Sequence, residues 1–142
     1  MKVLDANLLL YAVDERSPRH VPARDWLEQT LSGSETVGFV WLVLLAFVRI
    51  STRSSIFEQP LDVTQALDLV DGWLAQPCAT VLHPTERHSS VLRELLGPLG
   101  TAANLTSDAH LAAVAVEHGA KLLSCDRDFS RFPGLRWSDP LA

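Results

Sequence analysis

Residues 1–15 read MKVLDANLLLYAVDE. Lys2–Leu4 has the pattern of a short buried strand, and Asn7–Val13 that of an apolar helix. Asp5 stands at the junction between them. A carboxylate there either caps the helix or belongs to a site. The choice depends on what else reaches the same edge of the fold.

Working outward, short apolar runs alternate with longer helical patterns. Ser17-Pro18 carries helix-start chemistry, serine as N-cap and proline at the first helical position. That helix is expected to reach Leu31, with Val21, Trp26, Leu27 and Leu31 on its inner side. Thr36–Phe39 is a second strand candidate. Trp41–Ser51 (WLVLLAFVRIS) is apolar on nearly every side, so it is buried all round or shared with a partner. Thr52–Leu61 reads as a loop, and Val63–Ala75 as a helix with Ala66, Leu67, Val70 and Leu74 at helical spacing. Thr80–Leu82 is a third strand. Thr85–Leu96 is a helix with Glu86 in its first turn, broken by Gly97-Pro98-Leu99-Gly100. Leu105–His118 is a helix closed by Gly119, and Lys121–Cys125 is a strand. Asp126–Phe132 is a turn or short helix, and Leu135–Trp137 a last edge strand. This alternation predicts an α/β fold, a mainly parallel sheet with helices on both faces.

The length of 142 residues suits a single domain over 1–142. With 47% hydrophobic residues, a substantial core can form, burying roughly 68–70% of the unfolded surface. The formal net charge of −5 excludes nucleic-acid binding through overall charge. Any RNA or DNA needs a local basic patch or a metal bridge. Cys78 and Cys125 lack metal-ligand spacing. Asp5 and Asp14 interrupt the N-terminal apolar run, which argues against a signal peptide. The apolar run Val37–Val48 is too short to cross a bilayer, which takes about 20 residues. A soluble cytoplasmic protein with free thiols and no membrane partner is expected.

Three acidic positions stand at element junctions. Asp5 ends the first strand, Asp126 ends KLLSC with Asp128 two residues on, and Asp108 lies in the first turn of the helix in NLTSDAHLAAVAVEHG. In a parallel sheet the carboxyl ends of the strands share one edge, and sites form beyond it. These aspartates can therefore converge although they are far apart in sequence. Two like charges about 4 Å apart repel by about 4 kcal/mol at an effective dielectric of 20. Protonation or a cation relieves that. Oxygen ligands alone favour Mg²⁺ or Mn²⁺. Such an ion can activate water and offset charge in a phosphoryl transition state, so metal-assisted phosphodiester hydrolysis is the expected chemistry. Each residue also has a purely structural account: Asp5 as cap, Asp108 as a helix-dipole charge, Asp126 and Asp128 as turn residues.

At these residues the chain resembles PIN-domain proteins, specifically VapC-type ribonuclease toxins of bacterial type II toxin–antitoxin pairs. The matching pieces are VLDANLLLYA, GFVWLVLLAFVRIST and LTSDAHLAAVAVEHGAKLLSCDRDFSRFPGLRW. The last is the most specific, because it joins an Asp-bearing helix start to a strand and a DxDF turn. The resemblance implies a three-layer α/β/α sandwich and an acidic pocket that binds Mg²⁺ or Mn²⁺ and cuts single-stranded or loop RNA. It implies that Asp5, Asp108 and Asp126 are the catalytic, metal-binding residues, supported by Asn7, Ser107 and Asp128. Many members carry a glutamate in the third helix, in a pattern like LAELLR. Here LLAFVRIS puts Ala46 at that place. Either fewer ligands remain, or Glu86 approaches from another helix. The expectation for Glu86 is a simple first-turn charge.

Arg49 and Arg53, near the end of the third helix, and Arg127 are candidates to hold substrate phosphate. Arg16 and Arg131 are further candidates for the pocket mouth, whereas His110 and His118 read as structural or exposed. Phe39, Trp41 and Phe57, with the apolar helix, look excessive for a small core. The resemblance supplies a use: homodimerisation, and a groove for a VapB-type antitoxin whose basic side chain enters the acidic pocket. The RNA substrate would be of the tRNA or rRNA kind. Two other readings stay open. One is a catalytically weak or inactive PIN-like binding module, supported by Ala46. The other is a haloacid dehalogenase-type phosphatase, suggested by a strand followed by DRD, with only residues 127–142 beyond Asp126.

Overall fold

A computed structural model describes all residues, 1–142. Its centre is β1 (Lys2–Leu4). Consecutive strand residues face opposite sides of a sheet, and Val3 and Leu4 are both 0% exposed. Both faces of β1 are therefore covered. On one side it pairs with β2 (Val37–Phe39), on the other with β4 (Lys121–Leu123). β2 continues to β3 (Ala79–Val81), and β4 to β5 (Trp137–Ser138). The sheet has five strands in the order β3-β2-β1-β4-β5, and every pairing is parallel.

Parallel neighbours need crossover connections, and helices supply them. Between β1 and β2 lie α1 (Ala6–Val13) and α2 (His20–Leu31). Between β2 and β3 lie α3 (Trp41–Ser51) and α4 (Val63–Leu74), and between β3 and β4 lie α5 (His88–Leu96) and α6 (Thr106–Glu117). α1 packs on α2 and α3, α3 on α4, and α5 on α6. One cluster of 29 buried residues joins these layers. No helix is long and apolar enough to cross a membrane, and both cysteines are free.

The strand order has a consequence for function. The chain runs outward from β1 through β2 to β3, then returns to the far side of β1 to form β4. The crossovers thus diverge between β1 and β4, which is where open α/β sheets leave a crevice beyond the strand ends.

Two glycines are required, one by packing and one by its backbone conformation. A Cβ on Gly38 of β2 would lie 2.5 Å from Leu82 Cδ1 and 2.9 Å from its Cγ. Gly119 takes φ +65°, and the N–H groups of Gly119 and Ala120 donate to the carbonyls of Val116 (3.1 Å) and Ala115 (2.8 Å). That is a Schellman closure of α6, as the sequence predicts.

Several boundaries differ from expectation. Ser17 does not cap α2, which begins at His20. The Ser17 Oγ accepts the Arg19 N–H at 3.1 Å in a preceding turn. The inner stripe is Ala23, Leu27 and Leu31, while Val21 is 53% exposed. In α4, Trp73 is buried and Leu67 is 42% exposed, because Trp73 packs edge-on against Phe47 of α3 at 4.8 Å. α5 begins at His88, so Glu86 is an exposed turn residue and not in a helix. The helix is delayed because both the Thr85 N–H and its hydroxyl are taken by the Glu117 carboxylate. β4 stops at Leu123, and β5 is Trp137–Ser138. Phe39 and Phe57 are not excess apolar residues, since both are buried. Trp41, Leu42 and Leu45 are the large apolar side chains that α3 leaves exposed.

Candidate active site

The site grows from the end of β1. The Asp5 N–H donates to the Leu123 carbonyl at 3.0 Å, extending the β1–β4 ladder by one residue. Its backbone is extended, and its Oδ1 accepts the Ala6 N–H at 2.7 Å as the N-cap of α1. Its Oδ2 accepts the Ser124 hydroxyl at 2.7 Å and the Asn7 amide at 3.3 Å. Asp5 is thus a cap and a held carboxylate at once.

Ser124 is the residue that sequence reasoning missed. It is fully buried. Its Oγ donates to Asp5 and accepts from the Asn7 amide and the Asp126 N–H, both at 3.0 Å. Its carbonyl accepts the Trp137 indole N–H at 3.0 Å, and the Asn7 Oδ1 accepts the Cys125 N–H at 3.3 Å. One hydroxyl therefore ties the ends of β1 and β4 together. The signal was a small polar residue interrupting the apolar run of KLLSC just before the DxD turn.

Asp126 caps a 3₁₀ turn, Arg127–Arg131, through its Oδ1, which accepts the Asp128 N–H at 2.9 Å. Asp108 lies in the first turn of α6 and is partly buried. Asp5, Ser107 and Asp108 line a cavity of about 530 Å³ that α3 closes with Leu42, Val43, Leu45 and Ala46. Arg49 also lines it. Arg53, Arg127 and Arg131 are exposed and do not, and Arg16 is paired with Glu58 at 2.8 Å. Glu86 is not among the lining residues, so it does not stand in for a third-helix glutamate. Ala46 forms part of the wall there instead.

The electrostatics show the aspartates sharing one field. Burial raises the Asp5 carboxyl above its ordinary value, against hydrogen bonds from Ser124 and Ala6, and the charge of Asp126 raises it further. The Asp108 carboxyl is pushed up to about 6 by burial, then by Asp5, Asp126 and Asp128. A cluster in which each carboxylate raises the next lacks a positive charge. No three Asp, Glu, His or Cys side chains close tightly enough to enclose an ion by themselves. The donor set is therefore open and all oxygen. It suits a hard cation held by one or two carboxylates that keeps much of its own water, and it suits a caged, soft or nitrogen-preferring metal poorly.

The PIN domain family matches residues 2–135. This chain belongs to it, as a VapC-type member. Over its full length this PIN domain is 51% identical to the relative named Ribonuclease VapC37 of Mycobacterium tuberculosis, covering 99% of that protein. It is 40% identical to Ribonuclease VapC33 of the same species over 99% of both chains. In fold it is similar to the VapBC2 structure from Rickettsia felis bound to a promoter DNA fragment, with a TM-score of 0.70 at 18% identity over 97% of each chain. It is similar likewise to DNA-bound VapBC from Salmonella typhimurium, with a TM-score of 0.68 at 19% identity. The fold is the expected PIN-like α/β/α sandwich. The resemblance read from the terminal LTSD…CDRDF segment is borne out, and a family match over nearly the whole chain leaves the dehalogenase reading without support.

Proposed function

We propose that this PIN domain, a single nuclease domain over 1–142, is an endoribonuclease toxin that cuts single-stranded or loop RNA with Mg²⁺, or Mn²⁺ in its place. The observation that carries this is the raising of the Asp5 and Asp108 carboxyls, by burial first and then by neighbouring aspartates, at the sheet's switch point around a cavity with Arg49 as its cation. The curated relatives named ribonucleases support the reaction class. When bound, the ion would neutralise the carboxylates and offset charge on the phosphate.

The chain's own residues do the rest. Ser124, Asn7 and the Ala6 N–H hold both Asp5 oxygens, so the carboxylate is oriented before substrate arrives. Asp108 faces the same cavity from α6, with Asp126 at the β4 edge adding to the negative field. Asp5, Asp108 and Asp126 are assigned as the ligands, with Asn7, Ser107 and Asp128 in support. Arg49 offers a planar fork to a substrate phosphate. The exposed Arg53 and Arg127 would act further along the RNA.

The solved structures that share this fold include VapBC assemblies. We assign the partner here as a VapB-type antitoxin. The cavity's acidic side with an apolar α3 wall suits a segment carrying one basic side chain among apolar ones. Homodimerisation over the exposed Trp41 and Leu45 belongs to the same proposal. Its target would be tRNA or rRNA, and its place the cytoplasm.

A binding module without catalysis is the second reading, favoured by Ala46 in the cavity wall. The two separate in one assay. Partner-free protein is incubated with a broad RNA pool and Mg²⁺ or Mn²⁺, beside Asp5→Asn and Asp108→Asn. Cleavage by the wild type, lost in both variants, supports the nuclease. A wild type that cuts nothing with either ion sinks it.

A further inference from the structure

We propose that His88 and His110 form a second metal site, for a borderline transition cation such as Zn²⁺, Ni²⁺ or Co²⁺, separate from the aspartate cavity. Neither histidine lines that cavity. The inference does not rest on the nuclease reading.

The arrangement starts from Glu117, at the end of α6. Its side chain is wholly buried, which is costly for a carboxylate without partners. It accepts the Thr85 N–H at 2.9 Å, the Thr85 hydroxyl, and the His88 Nδ1–H at 2.6 Å. Burial alone would push this carboxyl up, but the bonds from Thr85 and His88 prevail and hold it below its ordinary value. Glu117 therefore stays ionised and fixes the tautomer of His88, with the proton on Nδ1. The other ring nitrogen, Nε2, is then aimed at Nδ1 of His110, 3.0 Å away. The rings stand edge to face with centroids 4.8 Å apart.

A buried carboxylate that orients a histidine is the supporting arrangement that metal-binding imidazoles use. Here the second imidazole is already in place. With metal–nitrogen bonds of about 2.0–2.1 Å, two nitrogens 3.0 Å apart subtend about 90°. Opening by a few tenths of an ångström brings that to the tetrahedral angle. With the His88 proton on Nδ1, the His110 Nδ1–H donates to His88 Nε2, and shifting that proton to the His110 Nε2 frees the second nitrogen for the ion. The His88 side chain is 17% exposed and His110 is half-buried, so water can reach the pair and complete the coordination. No third side-chain ligand converges there, which makes the site weaker than a three-ligand one. Two nitrogen donors select borderline cations over Mg²⁺, the opposite of the all-oxygen aspartate cavity. A bound ion would pin α5 to α6.

The test uses tag-free protein stripped with chelator, and Ni²⁺ alone as the probe. Thermal melts are compared in the Asp108→Asn background, which disables the aspartate cavity, alone and combined with His88→Asn or His110→Asn, with Mg²⁺ in parallel. The expected result is a saturable rise of a few degrees with Ni²⁺ in Asp108→Asn, lost in both double variants. No rise in Asp108→Asn, or a rise kept in the double variants, would overturn the proposal. Because a histidine variant can fail to fold, NMR of Asp108→Asn gives an independent reading. Paramagnetic Ni²⁺ should broaden the imidazole signals of His88 and His110 before those of His20, His83 and His118. Equal broadening of all five overturns it as well.

Discussion

Replacing Asp108 by asparagine should stabilise the metal-free protein while disabling its site. The folded protein holds the Asp108 proton up to about pH 6, whereas the unfolded chain releases it near 3.8. Between those values the fold binds more protons than the unfolded chain, so stability is lost as pH rises through the window. Below pH 3.8 the carboxyl imposes no cost, and above 6 the cost is complete. Two pKa units correspond to about 3 kcal/mol. Asp108 is only partly buried, so solvent screening reduces that to about 1 kcal/mol. For a chain of this size, about 1 kcal/mol is about 3 °C in Tm. In chelator at pH 7.5, Asp108→Asn should therefore melt about 3 °C above wild type. At pH 4 the difference should vanish. Adding Mg²⁺ should raise the wild type and leave the variant nearly unmoved, since binding stabilises only a fold with an intact site. Calorimetry across pH 4–7.5, with and without Mg²⁺, measures all of this. A variant that melts below wild type in chelator, or a difference that stays flat with pH, refutes the claim that burial and the neighbouring aspartates raise the Asp108 carboxyl.

Two other substitutions probe what holds the site. Ser124→Ala removes the hydroxyl that serves Asp5, Asn7 and the Asp126 N–H. It should cost about 1–3 kcal/mol in urea unfolding, because buried polar partners are left unpaired, and should weaken Mg²⁺ binding by calorimetry. Unchanged affinity would show that Asp5 needs no support from β4. Gly38→Ala drives a methyl into Leu82. It should lower stability by about 1–3 kcal/mol through overpacking, and an unchanged denaturation midpoint would mean that Leu82 can move aside freely.

The alternation of apolar strands and helices, the mainly parallel sheet, the Gly119 closure of α6 and the Asp-bearing junctions were legible in the residues, because each depends on local periodicity and end chemistry. Helix starts were less so. Ser17 looked like a cap and Thr85 like the first helical residue, but Ser17 closes a turn and Thr85 serves a carboxylate on another helix. Inner faces were misread where a neighbour decided the packing, as with Trp73 against Phe47.

By itself the sequence determined that three aspartates end up on one edge, since side-chain alternation and strand direction follow from the pattern. Only the tertiary structure decided how they meet. The register Leu4↔Leu123 sets β1 beside β4 at the switch point, and that brings Ser124 onto Asp5 across 119 residues of chain. It also set Ala46 and Arg49 in the cavity wall, left Glu86 out of it, and joined Glu117, His88 and His110 between two helices. The reason is physical: periodicity says which face of an element is buried, but not which element lies against that face.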